Sequence, residues 1–351
     1  MAISRREFIA AGAVAPFLAS CATDLSKFSD EPLPTLARRL GVCDATYAIL
    51  DAGKPNAAMA VSSCSSNLPV RAESVFQAAS LTKPVTAFVA LDLVRKGVLD
   101  LQAPVSRYLP DGYPHRQHPF NPKKADLVDR VPAKTLARIP VETLLNHSSG
   151  LPNWTSRPLA PEFVPGERWQ YSGEGYTLLQ AVIGAVTGQD FETCVSKYVF
   201  EPMGMQHSAL RLTDDIREQL VTGSSRFQLA FNAPNAAASL YTTAQDYAKL
   251  VAALLADNAL FELTLAKPIT VEPRLGLTWG YGWGIETTTQ DSYLWHWGNN
   301  PGYRAFAMVS LSSRDGFVLF TNNDHGMPLA ATLAHATVPA EHGVFRFSML
   351  G

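Results

Sequence analysis

The hydrophobic pattern changes period along the chain. Apolar positions recur every three or four residues in Val141–Asn146, Tyr176–Thr187, Asp190–Phe200 and Thr243–Ala256, which read as helices. The last opens on Thr243-Ala-Gln-Asp246, a capping-box start. Past residue 280 the period falls to two. Tyr281–Thr287, Ser292–Trp297, Tyr303–Leu311 and Phe317–Thr321 read as strands, with Arg314-Asp315-Gly316 turning between the last two. Tyr303–Leu311 is apolar on both faces, as suits a strand covered on both sides, and a final helix from about Pro328 supplies part of that cover. Toward the other end, Pro32–Leu40 reads as a short helix. Residues 43–51 and 57–65 read as a hairpin about Gly53-Lys54-Pro55-Asn56. Val85–Val94 is apolar on nearly every face and reads as a buried helix that Gly97 ends. Strands at both ends and helices between predict an α+β fold: one antiparallel sheet built from both chain ends and flanked by helices, with an all-α domain of about residues 98–265 inserted. Residues 111–140 are rich in proline and charge, have no clear period, and read as a long loop or surface insertion.

Composition narrows the class. The 351 residues are 47% hydrophobic and 17% charged, enough for a sizeable core. The net charge is −2 and no basic block follows the N-terminus, so there is no footprint for nucleic acid. Residues 1–22 are not part of the fold. Ser4-Arg5-Arg6-Glu7-Phe8-Ile9 is a twin-arginine pattern, and the apolar segment after it is too short to span a bilayer. Leu18-Ala19-Ser20-Cys21 looks like a bacterial lipobox, which predicts a lipid anchor at Cys21 on the periplasmic side of the membrane. An ordinary cleaved leader would leave a soluble periplasmic protein instead. Export permits disulfides. If the hairpin is symmetric about residues 53 and 54, Cys43 and Cys64 face each other and can be bridged, strand register being the undetermined quantity. Cys194 falls in the helical pattern of Phe191, Val195, Tyr198 and Val199 and reads as an inert core thiol.

Three local signals carry chemistry. Ser80-x-x-Lys83 puts an amine and a hydroxyl on one face of a helix start, although a buried helix usually admits a lysine only with a partner. Read alone, it fits equally a capping serine beside a solvated lysine. Tyr171-Ser172-Gly173 offers a phenol. Using an unperturbed tyrosine as a base at neutral pH costs roughly 4 kcal/mol, less beside a lysine cation. Trp295-His296-Trp297-Gly298-Asn299 ends a strand with a glycine that permits close approach.

In this order and spacing, the three signals resemble the serine β-lactamase and penicillin-binding-protein superfamily, specifically its class C branch of β-lactamases, carboxypeptidases, D-aminopeptidases and esterases. KGVLDLQAPVSRYLP, VETLLNHSSGLPNW, FVPGERWQYSGEGYTLLQAVIGAVTG, EPMGMQHS and SLYTTAQDYAKL resemble it too. The likeness runs from about residue 43 to 323 and implies one hydrolase domain within residues 23–351. It also implies roles. Ser80 is the acylated nucleophile, Lys83 its proton partner bonded to Ser80 and Tyr171, and Tyr171 the general base. The backbone N–H groups of Ser80 and Asn299 form the oxyanion hole, and His296-Trp297-Gly298 is the third motif beside the substrate. No metal or cofactor is implied.

Departures from the branch bear on substrate. Gly173 stands where asparagine usually grips an amide side chain. His296 replaces a carboxylate-binding lysine, and Trp297 a small hydroxyl residue. Each removes a polar handle, so esterase-like cleavage of a small acyl ester or amide is expected over a strong β-lactamase. A D-amino-acid peptidase or weak class C-type β-lactamase is the alternative, and a catalytically idle ligand-binding sensor the non-enzyme alternative. Glu174 reads as a solvated acid at a helix start. His115-x-x-His118 has no obvious third zinc ligand and reads as a surface pair. Gly-x-Ser-x-Gly, His-Glu-x-x-His, P-loop and dinucleotide motifs are absent.

Overall fold

A computed structural model describes residues 30–64, 69–117, 119–120 and 127–350. The twin-arginine pattern, Cys21 and His118 lie outside them. In chain order, α1 (Leu33–Leu40) leads into β1 (Asp44–Asp51), β2 (Lys54–Pro55) and β3 (Met59–Ser62), and β4 (Phe76–Ala79) runs into α2 (Thr82–Arg95). A second hairpin, β5 (Tyr113–Arg116) and β6 (Val128–Val131), precedes α3 (Ala133–Leu136), α4 (Val141–Leu145), α5 (Gly173–Thr187), α6 (Phe191–Val195), α7 (Glu201–Met203) and α8 (Asp214–Gln219). After β7 (Leu240–Thr242) come α9 (Ala244–Ala256) and α10 (Asn258–Leu265). Then follow β8 (Ile269–Glu272), β9 (Leu277–Trp279), β10 (Gly284–Thr287), β11 (Ser292–Asn300), β12 (Tyr303–Ser310), β13 (Gly316–Thr321) and α11 (Met327–Thr337).

The sheet is built from both chain ends, as the pattern predicts. Its nine strands run β2-β1-β13-β12-β11-β10-β9-β8, with β3 also on β1. All these pairings are antiparallel, and Ala45 of β1 lies opposite Thr321 of β13. Alternation sorts the side chains of each strand onto two faces. Ala305, Ala307 and Val309 of β12 join Val318 and Phe320 of β13 in the core shared with α2 and α9. Phe306, Met308, Phe317 and Leu319 join the opposite core, shared with α1 and α11.

Two readings change. The first hairpin turns at Ala52 and Gly53, both at positive φ (46° and 80°), as a tight two-residue hairpin requires. Asp44 then pairs with Ser62, and the Cys43–Cys64 disulfide forms one residue off direct opposition, with the Cα atoms 4.9 Å apart. The 111–140 segment is not only loop, because β5 and β6 pair within it, with His115 opposite Asp129. Proline and charge in these four-residue strands hid the period. Cys194 is a buried free thiol, as expected.

Candidate functional site

Strand β4 delivers Ser80. All four of its residues are buried, and it packs across the sheet near Gly298, where an added Cβ would lie 2.2 Å from the Ala78 carbonyl oxygen. Only glycine permits that approach. The chain then turns sharply. Ala79 takes φ 50°, a left-handed conformation rare for a residue with a Cβ. Thr82 Oγ1 holds the turn by donating to the Ala79 carbonyl at 2.6 Å and accepting from the Leu240 N–H at 2.9 Å. A strained residue immediately before a functional side chain is a recurring feature of active sites.

Lys83, one turn on, is only 1% exposed, which removes the solvated-lysine reading. Its Nζ lies 3.1 Å from Ser80 Oγ and donates to the Ala237 carbonyl at 2.8 Å. It also stands 4.6 Å from the centre of the Tyr171 ring. The expected bond from Lys83 to Tyr171 is not made: the buried Tyr171 hydroxyl has no partner of ordinary hydrogen-bond geometry. Burial pushes the Lys83 amine well below its usual pKa. Burial pushes the Tyr171 phenol up, and the nearby Ser80 hydroxyl only partly opposes it. So the lone pair that electrostatics makes available beside Ser80 is the lysine's, while Tyr171 keeps its proton.

The third motif lies on the end of β11. Pairing with β10 stops at Gly284–Trp295, but pairing with β12 continues to Asn300–Tyr303. The last residues of β11 therefore project beyond β10. Asn299 is exposed there, whereas His296 and Trp297 are buried. The Trp297 ring packs 4.8 Å from that of Tyr171 and against Trp295 at 5.6 Å. It is a wall of the site, not a surface offered to substrate. His296 Nδ1 donates to the Trp297 carbonyl at 2.8 Å, leaving buried Nε2 without a partner. Burial, then Lys83, push this histidine well below its usual pKa, so it is a neutral group and no substitute for a cation.

Gly173 also departs from its expected role. A Cβ there would lie 2.4 Å from the Trp154 indole. The position offers substrate no side chain because Trp154 covers it. Glu174, expected in solvent, is 2% exposed. Its carboxylate accepts from the Thr155 N–H at 3.1 Å and the Thr177 hydroxyl at 3.3 Å. His115 is wedged between two carboxylates, with Nδ1 2.6 Å from Asp129 and Nε2 3.3 Å from Glu174.

His147 was not singled out from the sequence. It is buried at φ 60° and accepts the Ser172 N–H at Nδ1 (3.0 Å), with its ring 4.4 Å from Tyr171. Burial, then Lys83 and His296, keep it neutral. It thus fixes the backbone next to Tyr171 and supports the ring. The only sequence signal was its place in the NHSSG stretch, which carries no chemistry by itself.

A Ser-x-x-Lys pair at the head of a buried helix, on an antiparallel sheet with helices on both faces, defines the serine β-lactamase and transpeptidase class of folds. The beta-lactamase family model matches residues 18–341, and the chain belongs to that family. A penicillin-binding protein of Bacillus subtilis (strain 168) is 22% identical over 324 residues, covering 79% of this chain and 66% of that protein. Esterase EstB of Burkholderia gladioli is 27% identical over 342 residues, covering 76% of this chain and 82% of the esterase. Among solved structures, the octameric penicillin-binding protein homologue from Pyrococcus abyssi superposes with a TM-score of 0.69 at 20% identity, over 87% of this chain and 76% of that one. The chain thus sits in a serine hydrolase superfamily whose relatives include esterases and penicillin-binding proteins.

Proposed function

We propose that the protein is an exported serine hydrolase that cleaves esters, and amides less readily, through an acyl-Ser80 intermediate. The observation that carries this reading is the buried Lys83 amine 3.1 Å from Ser80 Oγ. As Ser80 Oγ bonds to the substrate carbonyl carbon, its proton passes to the neutral Lys83 amine. The carbonyl electron pair moves onto oxygen, facing the backbone N–H groups of Ser80 and Asn299, an arrangement typically worth about 10²–10³ in rate. Collapse breaks the bond to the leaving alcohol, which takes a proton from the Lys83 ammonium directly or through the Tyr171 hydroxyl. Water then adds to the acyl-enzyme by the same proton path in reverse, releasing the acid and restoring Ser80.

The ester preference rests on missing polar handles. Trp154 fills the space at Gly173, and His296 is neutral and buried. A peptide terminus or β-lactam carboxylate finds no cation in the third motif. The Cys43–Cys64 disulfide supports the export reading, since such bonds persist in oxidising compartments. On that reading the chain works on the periplasmic side, held by a lipid at Cys21. The test sets wild type and Ser80→Ala against a short-chain nitrophenyl ester and a chromogenic cephalosporin. Ester turnover that vanishes in Ser80→Ala, with little cephalosporin cleavage, is expected. Turnover surviving in Ser80→Ala overturns the site, and efficient cephalosporin cleavage overturns the ester preference.

A further inference from the structure

We infer that the cleft between α5 and residues 227–235 is the specificity subsite, and that it takes a bulky apolar half of the substrate, about the size of an aromatic ring or larger. This deepens the hydrolase reading above and rests on it. The cleft encloses about 830 Å³, within the ~300–1,000 Å³ of small-molecule sites.

The walls of the cleft are tied by hydrogen bonds or chain continuity to the segments that carry the candidate site. The Leu229 carbonyl accepts from Gln77 Nε2 at 2.8 Å, three residues before Ser80. Pro234 and Asn235 run into Ala236 and Ala237, whose carbonyls accept from Thr86 and Lys83 at 2.8 Å each. Glu174 and Thr177 line it from α5, within two turns of Tyr171.

The wall is largely apolar, although Arg116 and Gln189, whose buried Oε1 has no partner, also line it. Phe120, Phe191, Phe227, Leu229 and Phe231 line the cleft. Phe120 meets the Trp154 ring edge-on at 4.6 Å and the Phe231 ring at 6.1 Å, so the indole over Gly173 continues into this aromatic surface. Phe227 is 64% exposed, an apolar ring left in water beside an open cleft. The Glu174 carboxylate is occupied by Thr155, Thr177 and His115. An apolar ligand here removes Phe227 and its neighbours from water.

The test uses two matched pairs of esters. 4-Nitrophenyl phenylacetate is compared with 4-nitrophenyl acetate, and benzyl acetate with ethyl acetate, so that the acyl and alcohol halves are separated. Burial of one phenyl group favours the bulky member of one pair by about tenfold or more in kcat/KM. Ala181→Phe, which fills the cleft from α5, collapses that ratio toward unity. Phe231→Ala lowers it from the opposite wall and serves if the first variant fails to fold. Flat ratios in both pairs, or ratios indifferent to both variants, overturn the inference. Calorimetric binding of N-benzylacetamide to Ser80→Ala, lost on adding Ala181→Phe, reads the cleft without chemistry. Binding without any ester turnover by wild type would sink the hydrolase reading while leaving the cleft; turnover without binding or bulk preference would do the reverse.

Discussion

Lys83 donates to the Ala237 carbonyl at 2.8 Å while its nitrogen stands 3.1 Å from Ser80 Oγ. One hydrogen is thereby committed to the backbone, and the lone pair of the neutral amine can face the serine. Replacing Lys83 with Met should lower kcat by about 10³-fold, within the ~10²–10⁴ of a lost general base. The fold should survive, because a buried amine is exchanged for an apolar chain of similar length. Turnover and thermal midpoint measured on the same preparations check both.

The depressed Lys83 pKa gives a pH profile with a definite sign. Activity should rise with pH through the apparent pKa of the Lys83–Tyr171 pair, at a value below the ordinary lysine range. Folded Lys83 releases its proton at lower pH than unfolded Lys83. Between those two values the unfolded chain holds more protons, so Lys83 makes stability increase with pH there. An activity limb that stays at the ordinary lysine pKa would contradict the buried-amine account.

At Gly173 the expected effect is steric. Gly173→Ala should destabilise by about 1–3 kcal/mol, the usual range for overpacking, because the new methyl meets the Trp154 ring. Combined with Trp154→Ala, that cost should shrink, giving a large coupling in a double-mutant cycle read by denaturant unfolding. Additive costs would mean that the indole does not set the glycine requirement.

His115, paired with Asp129 across the β5–β6 hairpin, ties that hairpin to Glu174 at the start of α5. Burial works against the charged His115 ring, but Glu174 and Asp129 outweigh it and raise its pKa. Burial likewise opposes the Asp129 carboxylate, but His115 and the Leu159 N–H outweigh it and lower its pKa. The histidine's contribution is full below about 6.5, its ordinary value, and is lost as pH rises through the raised folded value. The aspartate's is full above about 3.9 and is lost as pH falls through the lowered folded value. His115→Asn should therefore cost about 3 kcal/mol in the mildly acidic window and remove the alkaline loss. A variant whose stability falls as wild type does between pH 6 and 9 would refute the assignment.

Reducing the Cys43–Cys64 bond releases a loop closed across 21 residues. By the chain-entropy estimate that loop is worth about 3 kcal/mol. Cys43→Ser with Cys64→Ser should lower the unfolding free energy by that amount and leave ester turnover per folded molecule unchanged.

Much of the fold was legible because its long elements carry clear signals. β11, β12 and β13 are apolar runs of strand length bounded by turns, α9 has a capping box, and Gly97 ends α2. The elements that position the nucleophile were not. β4 is Phe-Gln-Ala-Ala, four residues buried on both faces and too short to show a period. The left-handed Ala79 is set by tertiary contact, and alanine signals nothing about it. Ser80, Lys83 and Tyr171 could be named from motifs, and the structure brings all three together. What surrounds them could not be: the indole over Gly173, the carbonyl under Lys83 and the imidazole behind Tyr171 come from segments distant in sequence. Glu174 was misjudged for the same reason, since its partner His115 lies on a hairpin that the pattern did not reveal.

The pairing of Ala45 with Thr321 has a bearing on how the molecule comes into being. β1 has one edge closed by its own hairpin and the other waiting for β13, which is made much later. Until β13 arrives that edge is a row of unmet backbone groups, open to any passing strand. Closure of this edge therefore waits on the synthesis of β13. A stop codon anywhere before β13 would yield not a smaller version of this fold but a polypeptide whose central sheet cannot close, prone to pair with its own copies.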